Sequence, residues 1–147
     1  MLTDAHVLLL LNICYILFIL RVVGQIYVYF KGPSWLPEFN DWYSGTISYK
    51  AVLGWQAYMV TLSTLGVIDM QYLYGLFNFR FFIVSSPYLI VLSYLYFGGM
   101  IFRYIWTMVR KPERRWFKGT IPIWAHMIFA AYCYSLATLI LANYGGT

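Results

Sequence analysis

Four apolar runs, each long enough to cross a bilayer, constrain this chain more than any other feature. The first, VLLLLNICYILFILRVVGQIYVYF, extends from Val7 to Phe30 with a single charged side chain, Arg21. A helix needs about 20 predominantly apolar residues to cross the hydrocarbon core, because each residue advances only about 1.5 Å. The second run, AVLGWQAYMVTLSTLGVI, covers Ala51 to Ile68, and the third covers Pro87 to Val109. The fourth begins at Ile121 and ends near Tyr144. Ser86 reads as an N-cap with Pro87 in the first turn of the third run. Pro122 takes the same place in the fourth, and Gly145 and Gly146 read as its stop. Charged residues are 10% of the chain, against roughly 25% in a soluble domain, so water is not the solvent this surface is built for. No basic segment precedes the first run, and its apolar stretch is too long for a cleaved leader, so a continuous helix is expected there.

The charge that remains is concentrated in connections. VRKPERRWFKGTIPIW, Val109 to Trp124, joins the third and fourth runs and holds five of the ten basic residues. The connection from Lys31 to Lys50, KGPSWLPEFNDWYSGTISYK, falls on the same side of a four-span chain. Together they carry Lys31, Lys50, Arg110, Lys111, Arg114, Arg115 and Lys118; the opposite side carries only Arg80. Basic residues are retained in the cytoplasm, which predicts that both loops are cytoplasmic and both termini outside. Trp35, Trp42, Trp55, Trp106, Trp116 and Trp124 all fall near that boundary. This is where an apolar ring with one N–H donor is best solvated. The net charge of +5 is therefore membrane-flanking charge, not a nucleic-acid groove. DMQYLYGLFNFRFFIVSS, Asp69 to Ser86, is too aromatic to float in water and is interrupted by Gly75, Asn78 and Arg80. It reads as a short interfacial helix or re-entrant segment lying flat between the second and third spans, with an extension of either span as the alternative. The expected fold is an all-α, single-domain, integral membrane four-helix bundle with two structured cytoplasmic-side loops.

Five polar side chains interrupt the spans at a common level. Arg21 and Gln25 lie one helical turn apart on the first; Gln56, Arg103 and His126 lie on the second, third and fourth. Their depths are roughly 7 to 14 Å below the cytoplasmic boundary at 1.5 Å per residue. An ionisable side chain there costs about 2.5 to 3.5 kcal/mol unless it snorkels or finds a partner, so the five form a candidate ligand-binding layer. Arg103, nearest the boundary, fits snorkelling to lipid phosphate. All five acids, Asp4, Glu38, Asp41, Asp69 and Glu113, fall at span ends or in loops. The spans thus offer no carboxylate to neutralise Arg21, relay a proton or act as a buried general base, and the positive layer suits an anionic group from a lipid, a ligand head or a partner protein. Glu38 and Asp41 of one loop, with Arg114, Arg115 and Trp116 of the other, form a second candidate site: a cap over the helix ends, or a seat for an anionic headgroup.

Other chemistries lack their residues. His6 and His126 lie near opposite faces, and Cys14 and Cys133 sit singly on separate helices. The sequence therefore predicts no metal site and no cofactor. No GxSxG is present for a serine hydrolase.

RVVGQ (Arg21 to Gln25), SWLPEFNDWYSG (Ser34 to Gly45), YFGGMIFRY (Tyr96 to Tyr104) and PERRWFKGTIPI (Pro112 to Ile123) carry a resemblance. The chain is similar over most of its length to a group of small, uncharacterised four-span bacterial inner-membrane proteins. That resemblance implies a fold and a location in the bacterial cytoplasmic membrane, but no activity. Small glutathione-dependent four-helix enzymes have a charged Glu, Arg and Asn helix motif that is absent here. Sterol isomerase-like proteins would need acids within the spans. The leading expectation is an accessory or structural subunit that packs against other membrane proteins or lipid. The alternative is a lipid- or quinone-binding enzyme or carrier with a polar pocket open to the cytoplasmic leaflet. A cavity reaching Arg21 would separate the two.

Overall fold

A computed structural model describes residues 4–43, 48–112 and 119–145. Every described element is a helix: α1 (Asp4–Lys31), α2 (Phe39–Trp42), α3 (Tyr49–Tyr72), α4 (Arg80–Arg110) and α5 (Ile121–Tyr144). Four of them, all but α2, are long and apolar enough to cross a membrane. The chain is therefore described as a multi-pass membrane protein.

The helix ends follow local chemistry. Asp4 in the first turn of α1 and Lys31 in its last turn complement the helix dipole. Ser48 caps α3, its hydroxyl accepting from the Ala51 N–H at 3.4 Å. Thr120 stands at the start of α5, but its buried hydroxyl makes no cap bond.

The connection between the second and third spans departs from expectation. No interfacial helix lies there: residues 69–72 complete α3, and α4 begins at Arg80, leaving only 73–79 as loop. Asp69 is the reason. Its carboxylate accepts from the backbone N–H of Leu76 at 2.8 Å and of Phe77 at 3.1 Å, and from the Tyr144 hydroxyl at 3.2 Å. These bonds turn the chain back sharply, with Leu73 (φ 51°) and Gly75 (φ 78°) in the left-handed region. Ser86 and Pro87 are correspondingly inside α4, not at its start. The Ser86 hydroxyl bonds back to the Phe82 carbonyl at 2.8 Å. A proline is tolerated inside a membrane helix where neighbours and hydroxyl side chains satisfy the disturbed backbone. Gly145 caps α5 in the right-handed region (φ −74°), so its role there is not conformational.

α5 is the axis of the molecule. It packs against α1, α3 and α4, whereas α4 approaches neither α1 nor α3. The apolar core occupies the half of the bundle that holds the termini: Val7, Leu11 and Cys14 of α1, Val67 and Met70 of α3, and Tyr132, Leu139 and Ile140 of α5. Gly66 lets Tyr132 cross α3 closely enough for its hydroxyl to donate to the Ser63 carbonyl at 2.9 Å. Only Ser86 and Ser93 of α4 are buried. Its outward face, with Phe81, Tyr88, Leu92, Leu95 and Phe102, is apolar and fits contact with lipid.

Candidate functional site

The other half of the bundle is not filled. A cavity of about 680 Å³ lies there, with α5 as its back wall. Phe18, Arg21 and Gln25 of α1 form its floor, and Trp42 and Tyr43 its end. α3 contributes Val52, Trp55, Gln56 and Met59 on one side, and α4 contributes Leu89, Leu92, Ser93 and Tyr96 on the other. Because α3 and α4 do not meet, the cavity is bounded laterally by exposed side chains, Trp55 and Leu92 at 59% exposure each.

Four of the five residues of the polar layer line this space: Arg21, Gln25, Gln56 and His126. The fifth does not. Arg103 is exposed on α4, where the Thr107 hydroxyl bonds to its carbonyl. Its side chain does not line the cavity, although its charge acts on Tyr96 and His126 of the wall.

The polar contacts within the wall are incomplete. Gln56 Nε2 donates to Gln25 Oε1 at 2.8 Å, in a pair that is all but closed to solvent. Gln25 Nε2 and Gln56 Oε1 are buried without a partner among the described residues, as is Arg21 Nε. Arg21 Nη2 donates to the Trp42 carbonyl at 3.1 Å, and no carboxylate of the described residues pairs with the guanidinium. His126 Nδ1 shares a hydrogen bond of 2.8 Å with the Tyr96 hydroxyl, and the rings meet edge-on. The tautomer decides which of the two donates.

The end of the cavity is held by an aromatic strap that sequence reasoning did not single out. Trp42 Nε1 donates to the Pro37 carbonyl at 3.1 Å, bracing α2. Its ring lies on Gly24, where a Cβ would stand 2.8 Å from Trp42 Cη2. Phe39, Tyr43 and Tyr49 pack together with Tyr29 of α1, with ring centroids 4.5 to 5.8 Å apart. A glycine between Arg21 and Gln25 in a span was the available signal: it marks where something approaches the helix. Nothing in the sequence named Trp42 as its partner. Tyr96 was missed for the same reason, because its role depends on α4 and α5 pairing in register.

The second candidate site is only partly visible. Glu38 is exposed and its carbonyl accepts from the Asp41 N–H at 2.8 Å; Asp41 is half-buried. Arg114, Arg115 and Trp116 lie outside the described residues, so the expected pairing of the two loops does too. Among the described residues, no group of three or more His, Cys, Asp or Glu is placed to hold a metal ion. Cys14 and Cys133 are free thiols; Cys14 is buried and Cys133 stands in the cavity wall.

No protein family, curated protein or solved structure matches the chain.

Proposed function

We propose that this membrane protein binds an amphipathic small molecule drawn from the bilayer, of the lipid or quinone class, in the cavity between α3 and α4. The observation that carries the reading is the cavity itself, about 680 Å³, which Arg21, Gln25, Gln56 and His126 all reach. Ligand sites measure roughly 300–1,000 Å³ and combine apolar walls with a few polar groups. A polar layer serving only to pack a subunit would fill that space with its own side chains. Arg21, Gln25 and Gln56 are suited to holding and orienting a polar head by hydrogen bonds and charge. The retention of basic residues in the cytoplasm supports an orientation with both termini outside and the cavity in the cytoplasmic half. The ligand then enters from the inner leaflet, in a bacterial cell from that of the cytoplasmic membrane.

Native mass spectrometry of the gently solubilised protein, with lipid extraction, tests this. The expected result is a stoichiometric small molecule in wild type that is lost in Met59→Trp, which fills the cavity from α3, while the protein stays monodisperse. A stable assembly with another membrane protein and no specific small molecule would return the accessory-subunit reading.

A further inference from the structure

Among the described residues, the cavity wall contains one arginine and no carboxylate, which limits the chemistry of the occupant. Arg21 uses one of its donors on the Trp42 carbonyl, and it has no carboxylate partner among the described residues. Arg103 does not line the cavity, although its charge acts from outside on Tyr96 and His126 of the wall. Water can satisfy the remaining guanidinium donors, but it cannot neutralise the charge. A neutral carbonyl has the same limitation. In a low-dielectric surrounding the attraction of opposite charges is several times stronger than near bulk water, so neutralisation outweighs an added neutral hydrogen bond. A carboxylate or phosphate also matches the planar fork of Arg geometrically. Beyond Arg21 the walls turn apolar, through Phe18, Met59, Leu89, Leu92 and Phe129, toward the gap between α3 and α4.

Resting on the ligand-binding reading above, we infer that the occupant is an amphiphile with an acidic head on Arg21 and an apolar tail leaving between α3 and α4. Tyr96 and His126 stand on the α4 and α5 side of the same space. They meet the part of the head not held by Arg21. The shared chemistry is an anionic oxygen group on a single chain; a fatty carboxylate and a lipid phosphate both supply it.

Cys133 in the wall is a reporter for the occupant, and Cys14→Ala makes it the only thiol. The protein in neutral detergent is treated with a small thiol-specific alkylating agent. Oleate, oleoyl lysophosphatidate, oleyl alcohol, acetate and inorganic phosphate are added in separate arms. Oleate, the lysophosphatidate or both are expected to slow Cys133 alkylation at least ten-fold more than oleyl alcohol, and the stronger of the two names the head. Arg21→Gln is expected to bring that ratio close to one, and Arg21→Lys to keep most of it. Equal protection by the alcohol and the acids in wild type would overturn the acidic-head inference and leave the pocket standing. Protection by acetate or phosphate alone, equal to that by oleate, would replace the amphiphile with a soluble anion. No protection by any amphiphile would sink the ligand-binding reading itself. The wild-type comparison needs no variant at Arg21, so misfolding of one cannot blur the result.

Discussion

Asp69 and Arg21 stand at opposite ends of one bundle, each a charged type of side chain among apolar helices. Asp69 is fully buried, and its carboxylate is taken up by two backbone N–H groups and the Tyr144 hydroxyl. Arg21 has one neutral acceptor, the Trp42 carbonyl. The pattern extends beyond the two charges. Every buried side-chain atom without a partner among the described residues belongs to Arg21, Gln25, Tyr49, Gln56, Thr120 or Trp124, all toward the end away from the termini. At the terminal end, Asp69, Ser63 and Tyr132 form bonds that close the core. Among the described residues, the terminal half answers its own polar groups. The other half leaves some unanswered, and three of those residues, Arg21, Gln25 and Gln56, line the cavity. Buried polar groups left unpaired cost about 1–3 kcal/mol each, so their collection at one end fits a site better than a core.

The largest effect separating the halves should come from deleting the two charges. Asp69→Ala strands the Leu76 and Phe77 N–H groups. It is expected to lower unfolding stability in detergent by about 3 kcal/mol, since each orphaned donor costs about 1–3 kcal/mol. Arg21→Gln removes a cation with no counter-charge and is expected to cost under about 1 kcal/mol, or to stabilise. Reversible unfolding of both variants in the same micelles makes the comparison. Similar losses at the two positions would mean that Arg21 is satisfied within the chain, and the contrast between the ends would collapse.

Two glycines allow a smaller, steric form of the same test. At Gly66 a Cβ would run into the Tyr132 hydroxyl, between it and the Ser63 carbonyl. Gly66→Ala should cost about 1–3 kcal/mol, the usual range for overpacking a closed core. At Gly24 a Cβ would meet the Trp42 ring at 2.8 to 3.0 Å, but Trp42 belongs to a half-buried strap rather than the core. Gly24→Ala should move the strap and cost little, because the helix gains up to about 1 kcal/mol from replacing glycine. Its signature is access: alkylation of Cys133 should accelerate several-fold in Gly24→Ala and hardly change in Gly66→Ala. Equal stability losses with unchanged access would show the strap to be as rigid as the core.

These contrasts were partly legible in the sequence. Span positions follow from apolar length alone, and the fourth, Ile121 to Tyr144, agrees at both ends. The depth of Arg21, Gln25, Gln56 and His126 also follows from counting residues, because rise per residue is fixed. Direction around the helix does not follow from counting, and Arg103 stands exposed beside the cavity instead of in its lining. Asp69 was read only as an acid at a span end. Its actual role requires Leu76, Phe77 and Tyr144 to converge, two from the next turn and one from the far end of the chain. Ser-Pro at 86–87 resembles a helix start in water, where an unsatisfied carbonyl would disfavour continuation; among membrane helices the same pair can sit inside. Trp42 on Gly24 is a contact between segments with no shared periodicity, so no pattern in either announced it.

The finest test of the contrast lies in the amide pair. Gln56 Nε2 and Gln25 Oε1 form one hydrogen bond, while Gln25 Nε2 and Gln56 Oε1 have none among the described residues. A clamp evolved for stability would use both ends of both amides. A pair set up to meet a ligand would hold each other by one end and keep the other free. Gln25→Leu, Gln56→Leu and the double variant, unfolded in matched micelles without added amphiphile, measure the coupling directly. The expected value is about 0.6 kcal/mol, the average for an interhelical bond between membrane helices, with the double variant near wild type or above it. Arg21 remains in the floor of the double variant, so it should keep both its fold and its preference for acidic heads. A coupling of about 2 kcal/mol or more would exceed what one such bond supplies. The amides would then belong with Asp69 as part of the frame, and the open half would reduce to Arg21 beneath its strap.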